Sequence, residues 1–220
     1  MIGSVPTQLI GAARGLIYIH QQGMIHGDLK GVRSSCQELF PCLTSFTVKD
    51  NILVDQTGHA RLADFGFLTI ISDAATYLPS SSCSIGGTLR WMSPELIAPE
   101  EFGLERSRPT KSSDCYSLGM VVYETVSGKK PYQETPDVAV FLKIVKGERP
   151  HRCEGFVDGL WGMMEECWTF QPNDRPSVEG VLQCLEMCSN PSSSPPGMDG
   201  MTGENLGSSG LYHFRRAGVV

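Results

Sequence analysis

The chain has no apolar run near the roughly 20 residues that a bilayer-spanning helix needs. Its N-terminus has neither the basic n-region nor the apolar core of a secretory signal. Those absences make a cytoplasmic, reducing compartment the expected setting. Excess positive charge is missing too: 18 Lys and Arg stand against 24 Asp and Glu, for a net charge of -6. This balance gives no electrostatic case for nucleic acid or an anionic membrane surface, and neither is expected as a partner. The Arg215-Arg216 pair is too short a basic run to carry a localisation signal. None of the 8 cysteines forms a CxxC pair, so no zinc site is expected and the thiols are read as free. The 220 residues suffice for one domain, or a domain and a tail, with a sizeable core.

The most informative stretch is Met24-Ile25-His26-Gly27-Asp28-Leu29-Lys30-Gly31. It resumes at Asp50-Asn51-Ile52-Leu53-Val54 and is answered by Asp64-Phe65-Gly66. With Val32–Lys49 removed it spells H-G-D-L-K-G-D-N before an apolar strand, and this resembles the catalytic loop and D-F-G element of eukaryotic protein kinases. Phosphoryl transfer calls for a carboxylate to orient the attacking hydroxyl, oxygen ligands for magnesium and a cation near the γ-phosphate. The resemblance implies that Asp28 is the catalytic base, with Lys30 the catalytic cation on the ATP phosphate. It implies Asn51 and Asp64 as Mg2+ ligands, with His26, Phe65 and Gly66 in structural roles.

Upstream, Leu9, Ile10, Ala13, Leu16, Ile17 and Ile19 form a helical stripe after Pro6 that stops at Gly23. It is similar to the long kinase helix that feeds the catalytic loop. A full kinase domain also carries a Gly-rich loop, a strand lysine and a helix glutamate upstream. Gly3, Gly11 and Gly15 do not make that pattern, so the expectation is a C-lobe without its N-lobe.

Two readings of Val32–Lys49 stand. It is a surface insertion, tolerable because closing a long flexible loop costs only a few kcal/mol, or it is intron sequence translated in frame. The second is favoured because excision restores the family spacing, and the Ser, Cys and apolar mixture suits no obvious element.

Ile52–Val54 and Ala60–Ala63 flank Asp55-Gln56-Thr57-Gly58, a hairpin signal. The stretch from Phe67 to Leu89, rich in Ser, Thr and Gly, occupies the place of the activation segment. Many kinases order that segment with an arginine beside the catalytic aspartate; Gly27 stands there, so phosphorylation is expected to have weaker ordering power. Gly86–Glu95 resembles the substrate-docking loop, with S-P-E where A-P-E is usual. From the resemblance, Thr88 bonds near Asp28 and Lys30, a serine/threonine-kinase feature, and Glu95 pairs with Arg175.

Ser112-Ser113-Asp114 reads as the cap of a buried helix ending before Gly128. Asp114 is either a plain N-cap or, by resemblance, an acceptor of backbone bonds from the catalytic loop. Further helices are predicted at Val138–Lys146, Leu160–Trp168 and Val178–Cys188, with Trp161 and Trp168 as core anchors. Cys167-Trp168 with Arg175-Pro176-Ser177 resembles the tyrosine-kinase-like branch. The expected fold is α+β, mainly α: a kinase-like helical C-terminal lobe with short β-hairpins over 1–188, then a disordered Ser/Pro/Gly-rich tail over 189–220.

Two functions follow from different classes. One is a protein serine/threonine kinase acting on protein Ser/Thr hydroxyls with ATP and Mg2+. The other is a catalytically inactive binding module whose exposed face meets the missing N-lobe or a partner. A third outcome is an aggregating fragment.

Overall fold

The computed structural model describes residues 6–31, 48–49, 51–54, 60–63, 69–70 and 88–189. Asp64, Phe65 and Gly66, most of the Val32–Lys49 interruption, most of the activation segment and the tail beyond Ser189 lie outside the described residues.

Helix α1 (Thr7–Gln21) starts after Pro6, whose extended φ/ψ launches it, and buries Leu9, Ala12, Ala13, Leu16 and Ile19 on one face. The chain then forms β1 (Met24–Ile25), β2 (Val48–Lys49), β3 (Ile52–Val54), β4 (Ala60–Leu62) and β5 (Thr69–Ile70). Two small antiparallel sheets result, ordered β1-β5 and β2-β3-β4. The β3–β4 register pairs Ile52 with Leu62 and Val54 with Ala60, the hairpin expected from the turn residues between them. Strand β2 was not expected: Val48 and Lys49, the end of the interruption, pair with Leu53 and Ile52. β1–β5 likewise had no local signal, because its partners, Met24 with Ile70 and Ile25 with Thr69, lie far apart in sequence.

The helical part follows. A 3-10 turn at Leu89–Trp91 leads into α2 (Pro94–Ile97) and a second 3-10 turn at Pro99–Phe102. Then come α3 (Lys111–Ser127), α4 (Asp137–Val145), α5 (Asp158–Cys167) and α6 (Val178–Ser189). The predicted α4 and α5 begin one or two residues late because Asp137 and Asp158, which complement the helix dipole in the first turn, add nothing to the apolar stripe.

The cap of α3 also differs from the expectation. It is Thr110, not the Ser112–Asp114 stretch: Thr110 Oγ1 accepts the Ser113 N–H at 3.1 Å and Ser113 Oγ accepts the Thr110 N–H at 2.8 Å. This reciprocal box satisfies the orphan amides of the first turn, and Asp114 is released from capping.

Every residue of α3 from Ser113 to Glu124 is buried, so it is a central rod rather than an amphipathic surface helix. α1, α5 and α6 contribute Leu16, Met164, Val181 and Leu185 to the same core. α3 and α5 approach so closely at Gly119 that a Cβ there would fall 2.8 Å from both Cys167 Cβ and Trp168 Nε1. Trp168 is buried and meets Trp161 edge-on at 5.8 Å. The whole is mainly helical with a few short strands, the α+β class expected.

Candidate functional site

α1 ends at Gly23, and β1 carries the chain to His26-Gly27-Asp28. Buried side chains hold this loop from below. Asp114, buried on α3, accepts the His26 N–H through Oδ2 at 2.9 Å and the Gly27 N–H through Oδ1 at 2.9 Å. His20, buried in the last turn of α1, donates from Nε2 to Asp114 Oδ2 at 2.8 Å. The His26 ring is wholly buried; its Nδ1 accepts the Asp28 N–H at 3.4 Å while Nε2 faces the Ala63 carbonyl at 3.3 Å. Those two partners select the tautomer protonated on Nε2. Gly27 has φ +78°, in the left-handed region where a side chain is strained.

On this support three of the expected site residues come together. Asp28 is 8% exposed and its Oδ2 accepts from Lys30 Nζ at 3.0 Å and from Asn51 Nδ2 at 3.2 Å. Asn51 Nδ2 also donates to the Asp28 carbonyl. Asn51 is wholly buried just before β3, anchored by the Ala63 N–H on its carbonyl at 2.9 Å. Its Oδ1 is buried and has no hydrogen-bond partner among the described residues. Asp64, next after Ala63, lies outside the described residues, as do Phe65 and Gly66.

A buried polar atom left unpaired costs free energy, so the carboxamide oxygen of Asn51, beside the Asp28 carboxylate, is an acceptor open to a further partner. Oxygen donors of this kind suit a hard divalent cation. The carboxylate itself, flanked by an ammonium, can orient and accept a proton from a hydroxyl.

The expected docking loop is braced from two sides. Trp91 Nε1 donates to the buried Glu124 at 3.1 Å, and Ser117 Oγ donates to the Trp91 carbonyl at 2.8 Å, both from α3. Arg90 caps the turn before α4, donating to the Tyr132 and Thr135 carbonyls at 2.5 and 2.7 Å and to Asp137 at 2.7 Å. Thr88 is half-buried at the start of the 3-10 turn. Among the described residues no hydrogen bond joins it to Asp28 or Lys30, so the bond expected from the resemblance is not made here. Glu95 and Arg175 form a two-pronged ion pair, 2.7 Å on each prong, with both side chains buried.

His20, Glu124, Ser117 and Arg90 had no assigned role in the sequence reading. Each acts across a long gap in sequence, and nothing in its local pattern marks it.

A family model described as protein tyrosine and serine/threonine kinase matches residues 47–185. The cytokinesis protein sepH of Aspergillus niger is 32% identical over 186 residues, covering 82% of this chain and 12% of that protein. The serine/threonine/tyrosine-protein kinase HT1 of Arabidopsis thaliana is 30% identical over 186 residues, 84% of this chain and 40% of its own length. Cell division control protein 7 of Schizosaccharomyces pombe is 28% identical over 197 residues, 87% of this chain and 16% of that protein. The chain thus spans well under half the length of these relatives.

Proposed function

Since the chain belongs to the protein tyrosine and serine/threonine kinase family, we propose that its site serves transfer of the ATP γ-phosphate to serine or threonine hydroxyls of a protein substrate. The observation that carries this reading is the Asp28, Lys30 and Asn51 cluster with its orphaned Asn51 Oδ1. Asp28 is the base: it orients the incoming hydroxyl and takes its proton. Lys30, 3.0 Å from Asp28, places a positive charge where the acceptor and the transferred group meet.

The donor set fits Mg2+. Asn51 Oδ1 would hold it, and Asp64 is proposed as the second ligand. Mg2+ supplies neutralisation of phosphate charge when bound. Thr88 is assigned to the acceptor side, and Glu95, Asp114, Arg175 and His26 to scaffolding. Phe65 and Gly66 are assigned the structural part that their family motif implies.

The serine/threonine preference draws on relatives whose printed names include serine/threonine kinases. A cytoplasmic setting is proposed with it; among the described residues no helix is long and apolar enough to cross a membrane.

The test is magnesium-dependent transfer from labelled ATP to serine- and tyrosine-containing peptides, with Asp28→Asn as the control. Transfer to the serine peptide that Asp28→Asn abolishes supports the reading. Transfer that survives Asp28→Asn refutes the base assignment. A cooperatively melting chain that shows neither transfer nor an ATP-induced shift in Tm points instead to the binding module.

A further inference from the structure

Gly31, the residue after Lys30, is buried, and its φ lies outside the left-handed region, so its backbone does not call for glycine. What a side chain lacks there is room. A Cβ at this position would stand 2.7 Å from Glu124 Cδ and overlap Glu124 Oε2. Glu124 is itself buried on α3, and the same Oε2 accepts the Trp91 Nε1–H at 3.1 Å. One carboxylate oxygen therefore touches both the end of the segment that carries Asp28 and the turn that carries Trp91.

The two contacts constrain the position of one side chain. An overlap of this size has to be relieved, and the far end of a glutamate yields more readily than the Gly31 backbone or the buried helix behind it. By yielding, the carboxylate leaves the Trp91 indole. A buried N–H stripped of a charged acceptor is costly, so the turn at Leu89–Trp91 follows. Ser117 holds the same turn by a separate bond to the Trp91 carbonyl at 2.8 Å.

We propose that Glu124 is a positioning residue, whose Oε2 sets the spacing between the loop bearing Asp28 and Lys30 and the turn bearing Trp91. Gly31 leaves the room that the carboxylate needs to reach that turn. The coupling is a matter of contact alone; its consequence for catalysis rests on the phosphoryl-transfer function proposed above. Under that function the turn presents the acceptor peptide to Asp28, so the spacing governs use of the peptide rather than of the nucleotide.

The experiment follows solvent exchange of the indole N–H groups by proton–nitrogen NMR on the full chain. Its 3 tryptophans give separate signals, and Trp91→Phe identifies that of Trp91. In Gly31→Ala the Trp91 indole should exchange about tenfold faster or more, the loss of a hydrogen bond to a charged group, while Trp161 and Trp168 keep their rates. Glu124→Asp draws the carboxylate back by one methylene. Gly31→Ala combined with Glu124→Asp should therefore be more stable to urea than Gly31→Ala alone, because the overlap is gone and the indole bond was already lost.

Where the parent chain transfers phosphate to the serine peptide, Gly31→Ala should raise KM for the peptide about fivefold or more and leave KM for ATP within about twofold. A merely smaller folded fraction would lower kcat and leave both KM values in place. An unchanged Trp91 exchange rate in folded Gly31→Ala overturns the proposal. So does a double variant no more stable than Gly31→Ala, or an unchanged peptide KM in an active chain. If all three indoles speed up together, or Gly31→Ala does not fold, the double variant decides. A parent chain without transfer counts against the kinase function alone, and the Trp91 exchange rate then decides the coupling.

Discussion

Arg175 has five N–H donors, and all five are used. Nη1 reaches Glu95 Oε1 at 2.7 Å and the Ser112 carbonyl at 3.0 Å. Nη2 reaches Glu95 Oε2 at 2.7 Å and the Phe170 carbonyl at 3.2 Å, and Nε reaches the Thr169 carbonyl at 2.8 Å. Its guanidinium also lies 5.0 Å from the centre of the Tyr116 ring. Glu95→Gln leaves this buried cation with a neutral partner, and removing one member of such a pair costs about 3–5 kcal/mol.

Arg175→Met is expected to cost at least as much, because it strands the Glu95 carboxylate and three carbonyls together. The double change Glu95→Gln with Arg175→Met strands no charge. Its cost should fall short of the summed singles by a coupling at the upper end of the about 0.5–3 kcal/mol found for residues in contact. Urea unfolding of the three variants and the parent chain, followed by circular dichroism, measures all four corners of the cycle. A Glu95→Gln cost below about 1 kcal/mol, or strict additivity, would refute the claim that charge burial sets this magnitude. Against a total stability of roughly 5–15 kcal/mol, the expected loss is large enough to show in the folded fraction.

Other perturbations test other parts of the scaffold. Ser93 Oγ is buried and has no partner among the described residues, where the resembled motif has alanine, so Ser93→Ala should be neutral or stabilising by about 1 kcal/mol in a thermal melt. A clear loss of stability would reveal a bond that the hydroxyl makes in solution. Gly27→Ala meets φ +78° and should destabilise by about 1–2 kcal/mol while displacing Asp28; an unchanged Tm would count against the strain argument. Asp114→Ala removes the acceptor for three donors and should cost about 3 kcal/mol or more. Amide hydrogen exchange at His26 and Gly27 should then accelerate, and unchanged exchange there would show that the loop is held by something else.

Much of the fold was legible because it is written in local pattern. The apolar stripe of α1, the all-round burial of α3 and its stop at Gly128, and the β3–β4 hairpin all follow from periodicity and turn residues within one element. The motif order was also visible, since phosphoryl transfer needs those residue types in one place.

What escaped is non-local. Whether Asp114 caps its own helix or serves the loop cannot be decided from S-S-D alone, because both roles use the same carboxylate. The outcome turned on Thr110 and Ser113 satisfying each other first. His20 meets Asp114 across 94 residues, and Trp91 meets Glu124 across 33. No window short enough to show helical periodicity contains both partners.

These long-range bonds share one feature that explains why the site can be ordered at all. Loops are the part of a chain most free to move, yet the proposed role of Asp28 requires its carboxylate to be held to within a fraction of an ångström. α3 is buried along its middle and so is the least mobile reference available. Asp114, in its first turn, fixes the backbone of His26 and Gly27, and Ser117 and Glu124 fix Trp91 one and three turns further on. The loops that carry Asp28 and Trp91 are thereby referred to one helix. Moving that helix should move both loops together, whereas a change at Asp114 alone should loosen the first and leave Trp91 in place.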